Sequence, residues 1–204
     1  IEDDLGVLDV SADNKIYTVR LRENIEWHDS TVENPHLVTA DDIAFTFKSI
    51  QDSDFPNSLL RQNFLGVEIE VVDKRTVKFI LEKPYRYFAS NLTLGLIPQR
   101  AFEGVPIGKY DQVLDFGFEP IGAGPYAFKG LVQTDLSVEI SLERFSRPIE
   151  PFYHLERIVF RVFPDYNTLL SDIRNLDGVR LVPRNNDGEP IVPRSFRTAN
   201  YTLP

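Results

Sequence analysis

The chain has 204 residues, 42% of them hydrophobic and 26% charged, with 22 Lys and Arg against 31 Asp and Glu for a net charge of −9. The apolar share is enough to bury a core, which sets wholesale disorder aside, and the acidic balance argues against a nucleic-acid partner, because phosphate binding needs a basic surface. Cys is absent, which excludes a disulfide framework, a thiolate metal centre and a Cys nucleophile; no run approaches the ~18 apolar residues of a membrane span. Met is absent too, even at position 1, which gives the expectation of an internal piece of a longer protein. Residues 1–4 (IEDD) have neither the basic nor the apolar region of an export signal, so any signal peptide is expected upstream. The length allows one or two domains.

Residues 15–22 (KIYTVRLR) alternate, placing Tyr17, Val19 and Leu21 on one face of a half-buried strand. Residues 24–35 are turn-rich. Thr39 reads as a helix N-cap with Asp42 at the third helical position, and Asp41 and Asp42 suit the positive end of the helix dipole. A helix is therefore expected over residues 40–51, burying Ile43, Phe47 and Ile50. Residues 67–72 and 76–82 form a hairpin about the turn Asp73-Lys74-Arg75, with Val67, Ile69 and Val71 on one face of the first arm and Val77, Phe79 and Leu81 on one face of the second. Pro84 ends it, since it cannot donate to a ladder. Residues 85–92 are expected to form a short helix, residues 95–98 an extended run, and residues 104–120 a linker. A strand over residues 136–142 points Leu136, Val138, Ile140 and Leu142 inward. Residues 158–163 are nearly all apolar and read as a strand covered on both faces. Asp165 caps a helix holding Leu169, Leu170 and Ile173, and residues 179–182 read as a further strand, giving a crossover unit with parallel strands. The tail from Pro183 reads as loop.

Several segments together resemble the family 5 extracellular solute-binding proteins, the receptors of ABC importers for dipeptides, oligopeptides and nickel. The first block is Tyr17-Thr18-Val19-Arg20-Leu21-Arg22, then Ile25-Glu26-Trp27-His28-Asp29, then Thr39-Ala40-Asp41-Asp42-Ile43 opening a helix. The second is the hairpin followed by Lys83-Pro84-Tyr85 and Ile97-Pro98. The third is Ile121-Gly122-Ala123-Gly124-Pro125-Tyr126, like the family's Gly-Thr-Gly-Pro-Tyr. The fourth is Ile158-Val159-Phe160-Arg161-Val162, then Pro164-Asp165 and a helix. The chain departs from the family at Ser30, where a Gly is usual after His-Asp, by an insertion ahead of Thr39, at Ala123, and after Arg144, where an Asn-Pro-Asp-Tyr-Trp run is missing.

The resemblance implies a mixed α/β (α+β) fold, a partial type II periplasmic-binding-protein-like architecture. Residues 1–118 would be the family's extra domain and residues 119–204 a segment of the first ligand-binding lobe. It implies a binding protein with no enzymatic activity and no cofactor. A peptide or other small solute would be held between two lobes and delivered to ABC permease subunits by a monomeric receptor. That receptor would be periplasmic or extracellular, and membrane-anchored if the parent is a lipoprotein. A ligand-sensing domain of a regulatory protein with the same fold is the alternative. By position in the family pattern, ligand contact is expected from Thr93, Leu94 and Gly95, at the cleft mouth, and from Gly122, Gly124 and Tyr126, where the chain returns to the first lobe. For both segments a purely structural reading, core packing or a hinge turn, stays open.

The other chemistry on offer is His28-Asp29 with His36 and Asp41-Asp42, two imidazoles and three carboxylates that can make a metal or acid–base site. A turn and a helix start explain the same residues, and that reading carries more weight. Residues 122–124 lack the further glycine or Gly-Lys-Ser/Thr of a phosphate loop, and no Gly-x-Ser-x-Gly is present. No catalytic and no metal-binding residue is expected.

Overall fold

The computed structural model describes residues 5–113, 119–145 and 154–178. The strand expected at residue 15 is β2 (Ile16–Leu21), and it is the second of an antiparallel hairpin with β1 (Gly6–Val10). The hairpin turn is held by Ser11, whose carbonyl accepts from the Asn14 amide and whose own amide donates to Ile16, with Asn14 in the left-handed region at φ 55°. Gly6 is required by close approach: a Cβ there would lie 2.6 Å from the Arg20 carbonyl oxygen. The expected later hairpin is β3 (Glu68–Asp73) with β4 (Thr76–Ile80). The four strands form one antiparallel sheet of order β1-β2-β4-β3, with Tyr17 opposite Phe79 and Val19 opposite Val77.

Helix α1 (Ala40–Gln51) has the expected bounds and the full capping box: the Thr39 hydroxyl accepts from the Asp42 amide, and the Asp42 carboxylate accepts from the Thr39 amide. Its buried stripe, Ile43, Phe47 and Ile50, lies on the sheet residues Tyr17, Ile69, Val77 and Phe79. Phe47 meets Phe79 at 5.0 Å and 84°, and Phe64 at 5.0 Å. Tyr17 meets Phe88 edge-on at 5.0 Å. Each of these rings contributes about 1.5–3 kcal/mol by burial and up to about 1.5 kcal/mol more through edge-to-face geometry. A short helix α2 (Ser58–Gln62), capped by Asn57, follows. Val71 is exposed, because β3 is an edge strand with a register shift between Val71 and Asp73.

Where a helix over residues 85–92 was expected, the chain makes a 3-10 turn, Phe88–Thr93. The expected linker contains another such segment, Ile107–Gln112, whose Tyr110 packs on Phe102 at 4.7 Å. Aromatic packing here supplies order that hydrophobic periodicity does not reveal.

Strands β5 (Tyr126–Gln133), β6 (Val138–Arg144) and β7 (Arg157–Val162) form a second sheet in that order. The chain divides into two compact units, one built from the chain up to Leu131 with Ile140–Val159, the other from Val132–Glu139 with the chain from Phe160 onward. In the second unit the β5–β6 turn buries Ser137 and leaves Leu136 exposed, the reverse of the expected inward Leu. The Thr134 hydroxyl accepts the Ser137 amide and donates to its carbonyl, so the turn's own hydrogen bonds set which residue faces in. Helix α3 (Tyr166–Asp172) starts at Asp165 as expected, whose carboxylate accepts the Asn167 and Thr168 amides. Arg161 bridges Glu139 and Asp172 at 2.9 Å each. The expectation that β7 is covered on both faces is not met: Val159, Phe160 and Val162 are exposed. The expected strand over residues 179–182, and with it the crossover unit, lies outside the described residues.

Candidate functional site

Two of the expected contact segments are positioned by α1 and by the loop that precedes it. Asp42, 7% exposed, does more than cap the helix. One carboxylate oxygen accepts the Thr39 amide and hydroxyl, both at 2.9 Å, and the other accepts the Gln99 amide at 2.9 Å. One turn on, the Thr46 hydroxyl donates to the Asp42 carbonyl at 2.8 Å and accepts the Ile97 amide at 3.1 Å. The extended run at residues 95–98 is thereby fixed to the helix by two polar side chains.

Thr93 and Leu94 stand just ahead of that anchor, Thr93 exposed and Leu94 half-buried. Both line a cavity of about 340 Å³ together with residues of β1 and β2, Leu92, Leu96, Ile43, Phe47 and Phe79. Gly95 lies beside them, exposed and with open space where a Cβ would be.

The second expected segment is built on His28. The His28 amide donates to the Gly122 carbonyl at 2.8 Å. On the ring, Nε2 lies 2.9 Å from the Gly124 carbonyl oxygen, and Nδ1 accepts the Gly122 amide at 3.3 Å. A carbonyl can only accept and an amide can only donate, so these bonds select the neutral Nε2–H tautomer. Phe145 packs against the ring at 4.9 Å. The fit also explains Gly122: a Cβ would sit 3.0 Å from His28 Cε1 and 3.2 Å from Nδ1. Ala123 between the glycines is buried, and Tyr126 starts β5 with its hydroxyl donating to the Leu155 carbonyl. An open depression of about 630 Å³ adjoins this turn, lined by His28, Asp29, Pro120, Ile121, Phe128 and Lys129 among others. It has no lining residue in common with the cavity at Thr93 and Leu94.

The polar cluster noted in the sequence resolves into structural bonds. Both Asp29 oxygens accept from Arg100, and one also accepts from His36 Nδ1 at 3.1 Å. The Arg100 guanidinium lies 5.8 Å over the Trp27 ring, a charge-assisted pair and a cation–π contact on one side chain. Arg100 was not singled out in the sequence, and no local signal could have found it, since its partner is 71 positions away. Asp42 is spent on the helix start. No group of three or more His, Cys, Asp or Glu suited to a metal occurs among the described residues. Hydrogen bonds to the neighbouring hydroxyl or amides hold the Asp13, Asp73 and Asp165 carboxyls below the usual range, and burial raises the Tyr17 phenol.

Residues 6–183 match the bacterial extracellular solute-binding proteins, family 5 Middle. The chain belongs to this family. Relatives include a glutathione-binding protein of Escherichia coli O157:H7, 33% identical over 165 residues, which span 78% of this chain and 29% of that protein. A di/tripeptide-binding protein of Pseudomonas aeruginosa is 32% identical over 133 residues, 59% of this chain and 25% of its own length. Among solved structures, an ABC transporter substrate-binding protein of Listeria monocytogenes is 36% identical with a TM-score of 0.67, covering 84% of this chain and 34% of that one. A putative peptide-binding protein of Clostridium difficile is 25% identical with a TM-score of 0.68, covering 84% and 34%. The mixed α/β fold is thus that of a family 5 solute-binding protein, and the chain spans about a quarter to a third of the length of these relatives.

Proposed function

We propose that this chain is part of the solute-binding receptor of an ABC importer and that the cargo is a short peptide. The observation that carries the reading is the family match over residues 6–183, joined to relatives named for di/tripeptides and for glutathione, itself a peptide. In this reading residues 1–118 are the family's extra domain and residues 119–204 part of the first lobe. The receptor is monomeric, works outside the cytoplasm, with a lipid anchor if the parent is a lipoprotein, and hands its cargo to a membrane permease. Its work is binding, with no bond made or broken. Thr93, Leu94 and Gly95, with Gly122, Gly124 and Tyr126, contribute contacts to a pocket completed by chain outside this segment. Two features support those positions. Residues 97–99 and 122–124 are held by hydrogen bonds to fixed side chains, Asp42, Thr46 and His28, and open space lies where a Cβ would stand at Gly95 and at Gly124. Pre-organised backbone of this kind suits a ligand held through its own peptide groups, with room for varied side chains. The regulatory alternative gains nothing from relatives named as binding proteins.

Thermal unfolding of the longer receptor with di- to pentapeptides, glutathione, nickel and small sugars tests the reading. A ligand at 100 times its Kd adds about 2.7 kcal/mol to stability, which is readily seen. A rise in Tm with peptides, absent for sugars and nickel and absent in this chain alone, is the expected result. A rise only with a sugar or with nickel would reject the peptide cargo, and no rise with any solute would reject the receptor.

A further inference from the structure

We propose that His28 is a proton-operated latch on the Gly122–Gly124 turn. The ring joins two stretches 94 positions apart through complementary bonds: an amide donates into Nδ1, and Nε2–H donates to a carbonyl. Only neutral imidazole can make both. A second proton must go to Nδ1, the sole ring lone pair, and there it faces the Gly122 N–H, a donor against a donor. The Gly124 bond survives protonation, and so does the backbone bond from the His28 amide to the Gly122 carbonyl. Acid therefore opens the turn at one peptide group and leaves the rest of the attachment in place.

Imidazole is the side chain whose ordinary titration falls between about pH 5 and 8, so a latch built from it answers to protons in that range. Among the described residues, Asp29, Glu119 and Lys129 are the charged groups lining the depression beside the turn. Asp29, next in the chain, is committed to Arg100 and His36. Lys129, on the shared depression, pairs with Glu143 at 3.7 Å, and Glu119 lines the same depression. Phe145 covers one side of the ring. Close approach restricts how the ring can respond: a Cβ added at Gly122 would lie 3.0 Å from Cε1, so ring and turn are packed together and a displaced amide moves the turn. The latch itself rests on bonds within this chain. Only its consequence for cargo, weaker binding in acid, rests on the receptor reading.

The test uses this chain uniformly labelled with 15N. Ring 15N shifts report the His28 tautomer and protonation, and amide exchange reports Gly122, normalised at each pH to the intrinsic rate. The expected result is the Nε2–H tautomer at neutral pH. The protection of Gly122 should then fall about fivefold to tenfold as the second proton arrives, the change that losing one ordinary hydrogen bond implies. The Trp27 and Val38 amides, bonded to the His36 and Ile25 carbonyls in the same loop, should keep their protection. In His28→Gln, which can still present one acceptor and one donor, Gly122 should stay protected throughout. An Nδ1–H tautomer overturns the proposal. So does Gly122 protection that ignores the titration, loss of protection shared equally by Trp27 and Val38, or a ring that takes no second proton before the chain unfolds. The wild-type measurement stands even if the variant does not fold, and none of it requires a cargo, so its failure is distinct from failure of the receptor reading.

Discussion

Replacing Asp42 by Asn tests how the helix start and the segment at residues 97–99 are joined. The carboxylate accepts three hydrogen bonds through two oxygens, two from Thr39 and one from the Gln99 amide. Asparagine keeps the shape but has one acceptor oxygen. If that oxygen serves Thr39, the amide NH₂ points at the Gln99 N–H, and a buried donor loses its partner. A lost charge-assisted bond is worth about 1.5–3 kcal/mol, with the unsatisfied donor included at the upper end, and loss of the carboxylate from the helix N-terminus adds about 0.3–1 kcal/mol. Asp42→Asn should therefore destabilise by about 2–4 kcal/mol. Thr39→Ala removes only the cap and should cost about 1 kcal/mol. Urea unfolding followed by the fluorescence of Trp27, the only Trp and 1% exposed, reads the unit in which Asp42 lies. If Asp42→Asn costs no more than Thr39→Ala, the bond to Gln99 has no energetic weight and the helix does not position the segment.

Other consequences follow from single contacts. Phe79→Ala, at a ring with no exposure that touches Phe47 and Phe88, should cost about 3–5 kcal/mol in the same assay. Gly122→Ala forces a methyl onto His28 at 3.0 Å and should cost about 1–3 kcal/mol, a loss that His28→Ala in the same chain should relieve. Hydrogen bonds to the Thr168 and Asn167 backbone amides and the Thr168 hydroxyl lower the Asp165 carboxyl, so its contribution is present above the unfolded carboxylate pKa and is lost as pH falls through the lowered folded value. Amide exchange at Asn167 and Thr168 should rise over that acidic window and not in Asp165→Asn. Burial raises Tyr17, so the fold holds it protonated where the unfolded chain begins to ionise. Stability should decline above a pH of about 10, and Tyr17→Phe should remove that decline.

What could be read in the chain is what is local. The Thr39–Asp42 box lies within four residues and fixed both the start and the face of α1. Tyr17, Val77 and Phe79 alternate with polar residues and their strands form where expected, whereas the pairing of β2 with β4 spans about 60 positions and was not among the expectations. β1 escaped notice because Gly6 and Asp9 break its alternation and β2 supplies the pairing that defines it. Lys129 and Gly130 hide β5 in the same way. For β7 the composition shows what a strand is able to bury, but cover comes from elsewhere, and Val159, Phe160 and Val162 stand exposed. The site divides along the same line. The family pattern pointed to residues 93–95 and 122–126, but the anchors, Asp42 on Gln99 just beyond the first and His28 on Gly122 and Gly124 in the second, act over 57 to 96 positions. Sequence spacing carries no trace of such pairs.

The central claim is that the two held segments meet a peptide cargo. Hydrogen–deuterium exchange of the longer receptor, with and without a peptide that raises its Tm, tests it most directly. The account predicts added protection at residues 93–95 and 122–126 together, above any general stabilisation seen in α1. A peptide that binds tightly and leaves both segments unchanged would contradict it.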